Sequence, residues 1–126
     1  MKQRKWKLDT KTKRKLDKLF SVYIHHRDNE TCVWCGRSGI QMNTSHILPR
    51  EFTISRWLPD NALLLCVRCH RLGKTSFHQS PLHFVDFYVN HYGQEKVDSL
   101  LELSKLVPVW TEEDVKRIIQ NLQIKA

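Results

Sequence analysis

All four cysteines of the chain fall into two C-x-x-C pairs, Cys32/Cys35 and Cys66/Cys69. A disulfide framework rarely uses only this spacing. In a reducing compartment two such pairs predict a tetrahedral four-cysteine zinc site. Each pair makes a tight turn that aims two thiolates at one ion. Four protein ligands leave no open position, so the expected role is structural: folding a region whose own core is small. A pair of redox dithiols is the competing reading.

The 126 residues amount to one domain. Hydrophobic residues make up 40% and charged residues 27%, which excludes a disordered or fibrous chain. No apolar run approaches the roughly 18 residues of a membrane span. The basic N-terminus lacks the apolar stretch of a secretory signal. The expected location is the cytoplasm, with no membrane partner.

The formal net charge is +8, and its distribution is uneven. Residues 1–18 hold nine basic residues (Lys2, Arg4, Lys5, Lys7, Lys11, Lys13, Arg14, Lys15 and Lys18) against Asp9 and Asp17. The remainder is nearly balanced, with 12 basic and 11 acidic residues. Such a block attracts phosphate backbones or anionic membranes. Its bland alternative is a solubilising tail.

Hydrophobic periodicity then divides the chain. Leu16, Leu19, Phe20, Tyr23 and Ile24 predict an amphipathic helix over about residues 10–28, capped by Asp9 or Thr10. Lys11, Arg14, Lys15 and Lys18 fall on its other face. Residues 32–39 read as a zinc knuckle between short strands, and residues 40–47 as extended. Residues 49–60 read as a loop containing Arg50, Arg56 and Trp57. Residues 61–66 lead into the second knuckle, with a short helix starting near His70. Three helices follow. The first starts at Ser80-Pro81, has Phe84, Val85, Tyr88 and Val89 as its apolar stripe, and closes at Gly93. The second spans 94–107, with Val97, Leu100, Leu101 and Leu103. The third opens on the capping box Thr111–Asp114 and turns Val115, Ile118, Ile119 and Leu122 inward. Trp34, Trp57 and Trp110 read as core anchors.

Between and beside the cysteine pairs lie His46, Asn61 and His70. Their order, with Cys32-Val-Trp-Cys35-Gly36, Ser45-His46-Ile47-Leu48-Pro49, Asn61-Ala-Leu-Leu-Leu-Cys66 and Cys66-Val-Arg-Cys69-His70, resembles the HNH endonuclease family. The segment 16–24 with Arg27-Asp28, the run 56–61, and His78-Gln-Ser-Pro81 are similar to phage NinG-type recombination endonucleases. The resemblance covers about residues 10–95.

The resemblance implies an α+β fold: a ββα-metal core over 30–80, preceded by a basic helix (1–29) and followed by a helical extension (81–126). It implies a metal-dependent endonuclease that hydrolyses DNA to 5′-phosphate and 3′-hydroxyl ends, phage-encoded and used in recombination or packaging. In that reading His46 is the general base, Asn61 holds the His46 ring, and His70 ligates the catalytic ion. The family places Asp or His directly before the base, where this chain has Ser45. Either Ser45 ligates weakly or His78 completes the site. Two histidines shift the expected ion from Mg²⁺ toward Mn²⁺, Ni²⁺ or Zn²⁺. Lys11, Arg14, Lys15, Lys18, Arg50 and Arg56 would hold the DNA backbone. A homodimer or a phage DNA-processing protein is the expected partner. Read alone, each residue has a plainer role: His46 a buried histidine, Asn61 a turn residue, His70 a cap on the zinc site, His78 a surface group. His25, His26, His83 and His91 read as surface or packing residues. The alternative from another class is a non-catalytic zinc module that binds nucleic acid.

Overall fold

A computed structural model describes residues 6–123. It shows a mixed α+β fold built on one two-stranded antiparallel sheet. Helix α1 (Thr10–Arg27) comes first. Asp9 caps it by accepting the Thr12 N–H at 2.8 Å, which holds the Asp9 carboxyl below its usual range. Leu16, Phe20 and Ile24 form its fully buried stripe. His25, His26 and Arg27 in the last turn suit the negative end of the helix dipole.

Strand β1 (Met42–His46) pairs with β2 (Ala62–Cys66) from Met42 opposite Cys66 to His46 opposite Ala62. The partners are unequal. β2 is an apolar run buried at every position, whereas β1 is polar and only Ser45 is buried. The reason is that β2 is covered on both faces. Ala62 and Leu64 pack on α1 and the C-terminal helix, while Leu63 and Leu65 pack against the cysteines and an aromatic cluster. The end of α1 locks this strand in place. Arg27 donates to the Pro59 and Ala62 carbonyls at 2.7 and 2.8 Å, and Asp28 accepts the Leu64 N–H at 2.9 Å.

Residues 47–61 link the strands. The sequence predicts a loop here, but the segment contains a short helix, α2 (Thr53–Arg56), and a 3₁₀ turn at Pro59–Asn61. Local periodicity over so few residues is too weak to signal either. After β2 comes a single wide helical turn, Arg68–Leu72, closed by the Gly73 N–H on the Arg68 carbonyl at 2.8 Å. It starts two residues before His70. The predicted strands around the first knuckle reduce to one bridge, Thr31 to Ser38.

Helices α3 (Pro81–Tyr92), α4 (Gln94–Ser104) and α5 (Glu112–Asn121) complete the described chain. Gly93 adopts φ +91° between α3 and α4, a conformation that other residues reach only with strain. The Thr111–Asp114 capping box forms as the sequence predicts. α4 ends three residues short of the predicted boundary. Val85 and Leu101 are exposed instead of core-facing; Phe87 takes the inward position on α3. Trp34 stacks on Phe87 with centroids 5.1 Å apart, and Trp57 packs edge-on to Trp110, so each of the three tryptophans has an aromatic neighbour. No described helix is long and apolar enough to cross a membrane.

Candidate metal centre and histidine cleft

The four cysteine sulfurs lie within 4.8 Å of one another. Cys35 Sγ and Cys66 Sγ are 3.7 Å apart. A tetrahedral ZnS₄ unit with bonds near 2.3 Å has S···S edges of about 3.8 Å. The residues therefore fit structural zinc. The first knuckle turns on Gly36 at φ +79°, with its N–H on the Cys32 carbonyl at 2.9 Å. Burial and the neighbouring sulfurs push the Cys69 thiol far up, and burial raises Cys35 as well. Burial opposes ionisation of Cys32 too, but backbone N–H groups of Cys35, Cys66 and Trp34 outweigh it and lower that thiol. A divalent cation bound among the sulfurs would favour the thiolate form of its ligands.

The four-cysteine cluster joins the start of the knuckle to the end of β2. That fixes the turn Arg68–Leu72 against the sheet, and with it His70. A cleft of about 570 Å³ opens beside this turn. His46, His70 and His78 line it together with Asn43, Thr44, Arg50 and Arg71.

His46 ends β1. Its Nε2 donates to the Arg56 carbonyl at 2.8 Å, and its ring packs on Phe20 at 5.4 Å. With the proton fixed on Nε2, Nδ1 is the basic nitrogen. Burial lowers the His46 pKa below its ordinary value, aided by Arg50 and opposed by the Arg56 carbonyl and Asp17. The ring is therefore neutral at neutral pH.

Asn61 does not hold this ring, contrary to expectation. It is fully buried, accepts the Leu48 N–H at 2.8 Å, and donates to the Leu48 and Ser55 carbonyls at 3.1 Å. It pins the two ends of the loop whose next carbonyl, that of Arg56, takes the His46 proton. Asn61 is thus a positioning residue, one step removed. Replacing it with alanine leaves buried backbone groups unpaired. The expected cost is about 3 kcal/mol of stability, read as a lower melting temperature in the zinc-loaded protein.

His70 is 8% exposed. Burial, with His78 and Arg71 nearby, pushes its pKa down to about 4, so it is a neutral ligand-ready imidazole. Its Nε2 lies 3.0 Å from Nε2 of His78. The pairing comes from a loop that folds back, not from a continuing helix: the His78 N–H donates to the His70 carbonyl at 3.0 Å. On its other side, His70 Nδ1 meets the Asn43 amide at 3.0 Å. With the amide nitrogen facing it, Nδ1 accepts and Nε2 donates to His78. With the amide turned, Nδ1 donates to the carbonyl oxygen and Nε2 is free to bind a metal.

Ser45 is 1% exposed, pairs opposite Leu63 and donates to the Asn43 carbonyl at 3.3 Å. It does not line the cleft, which removes it as a metal ligand. Arg56 is also committed elsewhere. Its guanidinium donates two hydrogen bonds to the Asp17 carboxylate at 3.0 and 2.7 Å, and the same carboxylate accepts the Trp57 indole N–H at 2.9 Å. Burial opposes the Asp17 charge, but these donors hold its carboxyl below the ordinary range. Arg56 therefore braces the loop instead of reaching for phosphate. Arg50 remains exposed at the cleft, 3.8 Å from Asp17.

Lys11, Arg14, Lys15 and Lys18 are exposed on α1. Arg14 and Lys18 share a helical stripe with Ser21 and His25, which line the cleft, so this stripe extends its wall. Lys2, Arg4 and Lys5 lie outside the described residues. Sequence reasoning missed Asn43, Asp17 and Arg71. Asn43 had a signal: it is the second residue of β1, a polar amide three residues before His46. Asp17 had none, because its partners are about forty residues away.

Comparison with protein-family models, with curated proteins and with solved structures finds no match to this chain.

Proposed function

We propose that the chain is a metal-dependent HNH-type endonuclease that hydrolyses DNA phosphodiester bonds. The observation that carries this reading is the arrangement of three histidines around one strand edge. His46 stands with Nε2 tied to a backbone carbonyl, facing a cleft shared with the His70–His78 pair at 3.0 Å. A neutral imidazole with a fixed tautomer suits a general base that takes a proton from water. Arg50 and the α1 stripe supply the cations that would place a backbone phosphate in the cleft.

His70 and His78 would hold the catalytic ion. Two donors at about 2.1 Å on adjacent corners of an octahedron stand about 3.0 Å apart, so the pair fits such an ion. When bound, a divalent ion supplies charge stabilisation at the scissile phosphate and leaving oxygen. Asn43, holding His70 Nδ1, sets which nitrogen is free. Two imidazoles favour Mn²⁺ or Ni²⁺ over Mg²⁺. The test is a supercoiled-plasmid assay on zinc-loaded protein with each ion added in turn. Cleavage is expected, fastest with Mn²⁺ or Ni²⁺, and His78→Ala is expected to reduce it at least tenfold. No cleavage with any ion, or equal activity of His78→Ala, would sink this reading.

A second reading, a zinc module that binds nucleic acid without cutting it, is favoured by one observation. Among the described residues the only carboxylate lining the cleft belongs to Asp17, and it is engaged by Arg56 and Trp57. Salt-sensitive DNA binding without cleavage would select it. A phage recombination or packaging role rests on the sequence resemblance alone.

A further inference from the structure

A second hollow, of about 420 Å³, lies beside the cysteine cluster. Trp34, Arg37, Arg68, Lys74 and Thr75 form much of its wall. The three cations are exposed, and none has an acidic partner within salt-bridge distance among the described residues. The sequence explains why: residues 31–50 and 61–85 contain no aspartate or glutamate. A zinc tetrathiolate carries a double negative charge. Three cations more than balance it, so the hollow stays electropositive when zinc is bound.

Its position relative to the histidine cleft is specific. The turn Arg68–Leu72 separates the two. Arg68 and Cys69 line the hollow, while the next two residues, His70 and Arg71, line the cleft. A strand leaving the cleft over this turn therefore runs directly into the hollow. There it meets two kinds of group: cations for phosphate and an indole for a base. One side of Trp34 is covered by Phe87, at 5.1 Å and 15°. The indole also lines the hollow. A base inside a duplex has no free face to offer such a wall, whereas an unpaired base does.

We propose that this hollow binds an unpaired stretch of nucleic acid next to the cleaved position, with phosphates on Arg37, Arg68 and Lys74 and a base against Trp34. The inference rests on the nuclease reading for its placement, and names the substrate class of that site: DNA with a single-stranded segment beside the scissile bond.

The test uses zinc-loaded protein without added divalent ion, so that nothing is cut. Fluorescence anisotropy measures binding of a labelled oligothymidylate and of a blunt duplex. The variant is Arg37→Gln with Lys74→Gln, both exposed and outside the cleft. Oligothymidylate affinity is expected to fall about tenfold, and the slope of log K against log salt to shrink by about 1.4. Duplex affinity is expected to stay within about twofold, and duplex cleavage with Mn²⁺ to stay at the wild-type rate. Four results overturn the proposal. Unchanged oligothymidylate binding, or a fall in zinc content, means that the cations serve only the thiolates. An equal loss on duplex means a general phosphate contact. Absence of oligothymidylate binding by the wild type leaves the hollow without this ligand. Cleavage failure with intact oligothymidylate binding would count against the nuclease reading and leave the hollow standing.

Discussion

Replacing His46 by alanine is expected to leave a folded protein that binds DNA and cleaves it about a thousandfold more slowly, within the range that a positioned general base supplies. The binding cations are elsewhere, on α1 and at Arg50, so affinity is expected to change little. The fold is expected to survive because the ring lines an open cleft, and the Arg56 carbonyl it leaves can take water. His46→Gln separates the two roles of the ring. A glutamine amide can still donate to the Arg56 carbonyl and hold the loop, but it cannot accept a proton from water. Loss of cleavage in both variants identifies a base. Recovery in His46→Gln would mean that the ring only braces the loop.

The same group sets the pH profile. In the proposed reaction the active form is the neutral ring, and burial lowers its pKa below 6.5. Activity should therefore rise with pH through an acidic limb whose midpoint lies below that value. The limb is expected to disappear from the residual activity of His46→Ala. A midpoint above pH 6.5 would contradict the burial of this ring.

Loss of zinc is the second large effect. Cys66→Ser, or strong chelation of the wild type, is expected to unfold the domain. Structural zinc contributes on the order of 10–16 kcal/mol in small zinc-dependent folds, more than the roughly 5–15 kcal/mol net stability of a typical domain. The position of Cys66 makes the damage global. It ends β2, whose residues feed both apolar clusters: Ala62 and Leu64 the α1–α5 side, Leu63 and Leu65 the aromatic side around Phe84 and Phe87. Freeing the end of this strand loosens both. The expected measurement is a loss of the cooperative melting transition by circular dichroism, with less than one zinc per chain by elemental analysis. A stable, zinc-replete Cys66→Ser protein would contradict the four-cysteine site.

Some of this was legible in the residues. Two C-x-x-C pairs specify a metal centre because a tight turn presents two thiolates whatever surrounds it. The helices at 10–27, 81–92 and 112–121 were legible for a similar reason, since caps and a 3.6-residue apolar period act within a few turns. The candidate histidines were found, but not their working relations. The sequence reading made Asn61 the holder of the His46 ring, and the structure gives that place to the Arg56 backbone, which carries no sequence signal. Arg56 itself read as a phosphate contact and proves to be the partner of Asp17.

What the sequence determined by itself, then, is the four cysteines that cluster as a potential metal site, the main helices and the acid-free stretches that leave cations unpaired. These follow from spacing and composition along the chain. The tertiary structure alone decided which nitrogen of His46 is basic, that His78 meets His70, and that Ser45 is sealed behind the sheet. Each depends on where a loop closes in space, and loop closure is set by hydrogen bonds between residues far apart in sequence, such as those of Asn61 and Asp17.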